Sequence, residues 1–350
     1  MNSFKNKFVK KSKYQKKIGE DITQCLTCER KCKIKNKNTG FCGTRMNIDG
    51  EIHSIIYGKI PAESVNPIEK KPFYNFHPGS TAYTVGTYGC NLSCFWCQNY
   101  HLSHPETPIK YKIQNEKEHL SPEGLMERAI KNNCEGVSIS FNEPTLLFEY
   151  SLDVFKLAKK EGLYTTYVSN GYMTEEVAKD LIDNGLDAIN IDIKGGSEMV
   201  KKYCGADNEK IWRNAILFAQ NDVHVEITNL LIEGFNTDEI IIRNIIEQIK
   251  KNLSKSTPLH FTRAFPYFKS DEHGFISSTE INILENAFEM AKTAGLDYVY
   301  LGNISGKKGS NTYCPNCARL VIERFGFNID LSNLDAFGKC NHCGHLICER

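Results

Sequence analysis

The chain has 350 residues, with 43 lysines and arginines against 42 acids and a formal net charge of +1. That length holds one barrel-sized domain with appendages or two ordinary domains, and so even a charge balance gives no general electrostatic argument for nucleic acid or membrane partners. No apolar run approaches the roughly 18 residues of a membrane span and the start of the chain lacks the apolar core of a signal peptide, so a cytoplasmic location is expected.

Residues 1–20 read as a basic flexible arm. MNSFKNKFVKKSKYQKK carries seven lysines and no acid, which suits either contact with an anionic partner or a solvated terminus. Residues 21–79 read as a cysteine-rich module. Cytosolic thiols stay reduced, so the spacing of the fourteen cysteines is read as metal ligation before disulfide pairing. Cys25, Cys28, Cys32 and Cys42 stand as C-x2-C-x3-C-x9-C. Four thiolates so spaced suit zinc or an auxiliary iron–sulfur cluster, between which the sequence does not choose; a structural metal is the preferred reading, and partly unmetallated cysteines are the third.

Between 80 and 305 strand-like runs alternate with amphipathic stretches. The runs are 82–89, 136–141, 164–169, 187–193, 224–232, 258–263 and 297–302. Helical patterns such as SPEGLMERAIKNN, FEYSLDVFKLAKKEG, TEEVAKDLIDNG and TDEIIIRNIIEQIKKN lie between them, several opening on a Ser or Thr cap. Near-continuous apolar strands separated by helices imply parallel pairing. The fold class is therefore α/β, a full or partial (β/α) TIM-type barrel with small cysteine-rich metal modules at both ends of the chain. A doubly wound open sheet is the alternative.

The run GCNLSCFWCQN follows the first of these strands and holds Cys90, Cys94 and Cys97 as C-x3-C-x2-C. Three thiolates without a close fourth suit a cubane cluster with one iron left open, or a zinc that borrows His101 or His104. Barrel chemistry sits at the C-terminal strand ends, and three more of these carry polar groups. SFNEP ends the second with Glu143, which as a lone motif reads as a helix cap. SNG ends the third with Ser169 and Asn170, suited to a ribose or carboxylate, or to a turn. IDIKG ends the fourth with Asp192 and Lys194 two residues apart on one face, which by itself reads as a plain ion pair. Later strands offer Glu226 and His260 as proton relays and Arg263 as a fork for a carboxylate. The competing view of His260 is a buried, satisfied histidine.

Residues 306–350 carry Cys314-x2-Cys317 and Cys340-x2-Cys343, two knuckles that suit a structural zinc in a ribbon-like module. Cys134, Cys204 and Cys348 fall outside every group.

C-x3-C-x2-C after the first barrel strand, with Trp96 just before Cys97, resembles the radical S-adenosylmethionine superfamily. The run from Gly40 to Asn99 resembles one subgroup of it, the radical enzyme of the AmmeMemoRadiSam system, related to pyruvate formate-lyase activating enzymes. That likeness covers nearly the whole chain from about residue 20. It implies a [4Fe-4S] cluster on Cys90, Cys94 and Cys97 whose open iron chelates S-adenosylmethionine, reductive cleavage to a 5'-deoxyadenosyl radical, and hydrogen abstraction from an unidentified substrate. It implies Trp96 near the adenine, Glu143 at the methionine amino group, and Asp192 and Lys194 at the cosubstrate or a nearby cation. Phe141 and Asn142 depart from the two glycines that the family places before this glutamate. A flavodoxin or ferredoxin donor and Memo-like and AMMECR-type partners are further implications. A glycyl-radical activase is the narrower alternative, and a methyltransferase using Cys204 another. A metal-stabilised interaction protein with its basic arm on nucleic acid is the alternative of another class, opposed by the near-zero charge.

Overall fold

The computed structural model describes residues 7–114, 118–304, 309–326 and 328–349. Its centre is an eight-stranded sheet of β1 (Ala62–Pro67), β2 (Thr81–Gly86), β3 (Gly136–Ile139), β4 (Tyr164–Ser169), β5 (Ala188–Asp192), β6 (His224–Leu231), β7 (Leu259–Arg263) and β8 (Val299–Gly302), in that spatial order. β1 pairs antiparallel with β2 at one edge, and every later neighbour pair is parallel. The strand order never reverses, which excludes the doubly wound alternative and leaves an open, partial β/α barrel. Its antiparallel edge comes from residues 62–67, inside the stretch read above as the N-terminal module.

The crossovers hold α1 (Pro122–Lys131), α2 (Phe148–Lys160), α3 (Glu175–Asp183), α4 (Asn208–Ala219), α5 (Glu239–Asn252) and α6 (Ile281–Thr293). α1 starts as its sequence dictates. Ser121 accepts the Gly124 N–H at 3.1 Å, proline follows at the first helical position, and Leu125, Met126 and Ala129 form the buried face. α3 departs from expectation, because Thr174 makes no cap; its hydroxyl donates to the Leu26 carbonyl at 2.8 Å and ties the helix to the cysteine-rich module. No helix among the described residues is long and apolar enough to cross a membrane.

Strand alternation splits the barrel chemically. Val137, Ile139, Ile189, Ile191, Ile227 and Phe261 are fully buried on one face, while Thr84, Ser138, Asn190, Glu226 and His260 are buried on the other. Burying polar groups is costly unless they are partnered, and the segment 68–77, which fills the barrel's N-terminal end, partners Asn190 and Glu226. Asn190 donates its amide to the Pro72 carbonyl at 2.8 Å, and the Tyr74 and Asn75 N–H groups donate to Glu226 at 2.9 and 2.8 Å. Phe73 and Phe76 pack on Ala82, Tyr164 and Ala188 at the starts of their strands. The C-terminal module holds this plug from beneath: Arg324 donates to the Tyr74 carbonyl at 2.7 Å, and the Glu349 N–H to that of Asn75 at 3.1 Å.

Two expectations are corrected here. The arm to residue 20 is structured from residue 7 onward: Lys10–Lys11 pairs with Glu51–Ser54, Gln15–Lys17 pairs with Ile22–Cys25, and Phe8 is buried. Residues 1–6 lie outside the described residues. Glu226 and His260 belong to the barrel floor, not to a mouth where substrate would meet them. His260 Nε2 lies 2.6 Å from one Glu226 oxygen and His224 Nε2 3.0 Å from the other. With two backbone N–H groups as well, the carboxylate is surrounded by donors.

Candidate active site

At the opposite, C-terminal end of the strands lies a cavity of about 330 Å³. Its walls bring together Cys90, Cys94, Cys97 and Trp96 from the loop after β2, Glu143 from the end of β3, Ser169 and Asn170 from β4, and Asp192 and Lys194 from β5. Glu226, His260 and Arg263 do not line it. Arg263 instead donates to the Thr279 carbonyl at 2.7 Å and the Ser278 hydroxyl at 2.8 Å, which fixes the entry into α6.

The cysteine loop is held rigidly. Asn142, where the family has glycine, accepts the Thr87 N–H at 3.0 Å and donates to the Gly89 carbonyl at 2.7 Å. Phe141 keeps the backbone that a glycine would adopt, with φ at +68°. Gly89 is required at its own position: φ is +88°, and a Cβ there would stand 2.6 Å from the Cys42 carbonyl oxygen. Asn170 spends its amide inside the protein, donating to Asn91 at 2.8 Å and accepting the Tyr172 N–H at 3.0 Å. It secures the residue after Cys90.

Glu143 is buried at the first turn after β3. One carboxylate oxygen accepts the Thr145 N–H at 3.0 Å and the Ser169 hydroxyl at 2.8 Å; the other accepts the Asn170 N–H at 2.9 Å. Burial pushes its pKa up, and these bonds oppose the rise. Glu143 thus caps the turn that follows, and its second oxygen retains capacity for another donor. Asp192 and Lys194 form an ion pair at 3.2 Å on the cavity wall. Trp96 is buried edge-on to Phe95, whose ring stacks on His273 at 4.1 Å.

Three open thiols fit a cluster better than a mononuclear zinc. Among the described residues no ligand set that includes them closes within 4.8 Å, and the His104 ring lies flat against Phe268 at 5.2 Å. The contrast is the C-terminal module, where all four sulfurs of Cys314, Cys317, Cys340 and Cys343 lie within 4.8 Å of one another. Cys314 and Cys343 are 3.5 Å apart and Cys317 and Cys340 3.8 Å, close to the about 3.8 Å edge of a tetrahedron with zinc–sulfur bonds of 2.3 Å. Cys25, Cys28, Cys32 and Cys42 line a separate small cavity.

Two further residues stand at the site, one weakly signalled in the sequence and one not at all. Cys204, named above only for the methyltransferase alternative, is buried with its sulfur 3.5 Å from that of Cys94, and its S–H pulls the Cys94 thiol's pKa down. Lys71, on the plug, reaches the cavity with 7% exposure. Among the described residues its ammonium has no carboxylate partner and lies 4.4 Å over the Phe141 ring. Burial, with Lys70 nearby, lowers its pKa to about 8. Lysine is charged in both folded and unfolded chains below that pH, so the full cost applies there and fades as pH rises toward the unfolded value near 10.5. Lys71→Met is thus expected to stabilise the protein at pH 7 by on the order of 3 kcal/mol, with the gain in urea midpoint closing by about pH 10.5. A gain that persists at that pH would assign it to packing.

The Radical SAM superfamily model matches residues 84–243. An uncharacterized protein of Methanocaldococcus jannaschii is 37% identical over 341 residues, which is 97% of this chain and 99% of that protein. Pyruvate formate-lyase 1-activating enzyme of Escherichia coli is 26% identical over 155 residues, 43% of this chain and 61% of that one. Among solved structures, a domain of the pyruvate-formate lyase-activating enzyme from Bacteroides vulgatus aligns with a TM-score of 0.41 and 22% identity, over 48% of this chain and 99% of that chain. The matched segment begins within β2 and takes in the cysteine loop and the ends of β3, β4 and β5 that wall the cavity, and the chain is an enzyme of the radical S-adenosylmethionine superfamily, related to the pyruvate formate-lyase activating enzymes.

Proposed function

We propose that the enzyme cleaves S-adenosylmethionine reductively at a [4Fe-4S] cluster held by Cys90, Cys94 and Cys97, and abstracts hydrogen from a second substrate bound in the same cavity. Membership of the superfamily implies S-adenosylmethionine and a [4Fe-4S] cluster. The observation that carries the reading is the convergence of three unclosed thiols with Glu143, Asp192 and Lys194 on one cavity at the C-terminal strand ends. When bound, the cluster supplies the electron that breaks the sulfonium bond and an open iron for the methionine amino and carboxylate groups.

The protein's own part is binding, orientation and dryness. The free capacity of Glu143 suits an incoming ammonium, which would favour the charged carboxylate against the penalty of burial. Asn142 and Asn170 keep the cysteine loop in place, and Phe95 with Trp96 walls off solvent beside it. Lys71 supplies a cation on the cavity floor with no carboxylate partner among the described residues, which supports a substrate that carries a carboxylate or phosphate. A glycyl-radical activase is the narrower form of this reading, supported by the similarity to the activating enzyme of Escherichia coli. Either form takes its electron from a donor of the flavodoxin or ferredoxin class. The C-terminal module fits zinc by its sulfur spacing, as a support for the plug.

The test is anaerobic reconstitution with iron and sulfide, then incubation with S-adenosylmethionine and dithionite, with 5'-deoxyadenosine and methionine scored by mass spectrometry. Both products are expected in equal amounts. Their absence from protein that carries its full iron would overturn the proposal.

A further inference from the structure

The two outer cysteine quartets share a ligand count but not a shape. Zinc draws four sulfurs to 2.3 Å from one centre, which puts neighbouring sulfurs about 3.8 Å apart and leaves no space between them. The C-terminal four have that compactness. The N-terminal four do not: no three of the sulfurs of Cys25, Cys28, Cys32 and Cys42 lie within 4.8 Å of one another, and all four line one hollow. The Cys90, Cys94 and Cys97 thiols are spread in the same way.

We infer that Cys25, Cys28, Cys32 and Cys42 bind a second [4Fe-4S] cluster. A cubane interposes irons and sulfides between its four thiolates, so it requires a wider, hollow quartet and has a full set of protein ligands here. The surroundings suit its negative charge. Arg45, buried and paired with Glu149 at 2.7 Å, lines the cavity, and donates to no thiolate that the ligation would displace. The site also adjoins the reacting centre. Asn91, which lines this cavity, follows Cys90 directly and accepts the Asn170 amide at 2.8 Å. The spread of the trio enters only as a comparison, so the quartet's cluster stands or falls independently of the proposed reaction.

The test uses the full chain, reconstituted anaerobically with iron and sulfide, with iron, sulfide and zinc counted and dithionite-reduced samples taken for electron paramagnetic resonance. The Cys90→Ala/Cys94→Ala/Cys97→Ala protein is expected to keep about four irons and four sulfides per chain and a reducible cluster signal, against about eight irons in the parent. Cys28→Ser/Cys32→Ser is expected to lose about four irons while its zinc is unchanged. A triple variant without iron but with a second zinc would overturn the inference, and so would a Cys28→Ser/Cys32→Ser protein with unchanged iron. If the parent itself holds only about four irons and the triple variant retains them, the inference stands and the proposed reaction fails. If the triple variant loses all its iron, the reverse holds.

Discussion

Cys97→Ala protein is expected to fold and to form no measurable 5'-deoxyadenosine, a loss of more than about a thousandfold or on the order of 4 kcal/mol of barrier. Cys97 is half-buried in a loop at the cavity wall, outside the main core cluster, so removing its sulfur costs the fold on the order of 1 kcal/mol or less. The chemical loss is large because three thiolates are the minimum that leaves one iron open while holding the others. On the proposed ligation, removing one would leave two irons without a protein ligand and lose the site that chelates the cosubstrate. The Asn142 clamp on Thr87 and Gly89 makes rescue by a shifted loop unfavourable, since two hydrogen bonds would break. Cys134→Ala is the control. That thiol is buried beyond α1 and does not line the cavity, so the variant should lose some stability and keep both cluster and products. A Cys97→Ala protein with parental product formation would sink the assignment of the trio.

Much of this site was legible in the sequence, for physical reasons that differ from residue to residue. Strand positions followed from apolar runs bounded by glycine and asparagine; 164–169 was read to the residue, and 187–193 within one residue at either end of Ala188–Asp192. The trio announced itself by thiol spacing, and Asp192 and Lys194 by the two-residue alternation that puts side chains on one face. Height along a strand was not legible. Glu226 shares the interior face with Thr228, which lines the cavity, but sits one pleat nearer the strand's start and so meets the plug instead. No periodicity predicts that residues 68–77 enter the barrel, because the bonds that hold them span about 150 residues of sequence and belong to irregular backbone. Lys71 was hidden for the same reason. Cys204 looked solitary because its neighbour Cys94 is 110 residues away. At the departure from the two glycines, Phe141 keeps a backbone that glycine would adopt and Asn142 clamps the cysteine loop.

Glu226→Leu is expected to cost about 3–5 kcal/mol of stability, the usual consequence of removing one partner from a buried ionic network. The Tyr74 and Asn75 N–H groups, His224 and His260 would all lose their acceptor at once, and the plug that carries Lys71 would loosen. The same network gives the fold a pH dependence of definite sign. Burial alone would push the Glu226 carboxyl up, but the two histidines outweigh it and hold it at about 2; burial alone would push His224 down, but Glu226 and Glu349 lift it to about 9. A depressed carboxylate contributes stability that is present above its unfolded value near 4.5 and lost as pH falls through 2. A raised imidazole contributes stability that is complete below its unfolded value near 6.5 and lost as pH rises through 9. Both shifts express one interaction and are counted once, at on the order of 3 kcal/mol. The floor is therefore strongest between about pH 4.5 and 6.5. Lys71 opposes this dependence above pH 8 and is removed by the Lys71→Met background. In that background urea unfolding should show a falling midpoint from pH 6.5 to 9.5, whereas added Glu226→Gln, which keeps the shape and a carbonyl acceptor but no charge, should start lower and stay nearly level across that range. A Lys71→Met midpoint that does not fall, or a Lys71→Met/Glu226→Gln midpoint that falls in parallel with it, would remove the charge of this floor as the source of the dependence and leave its hydrogen bonds as the whole of its contribution.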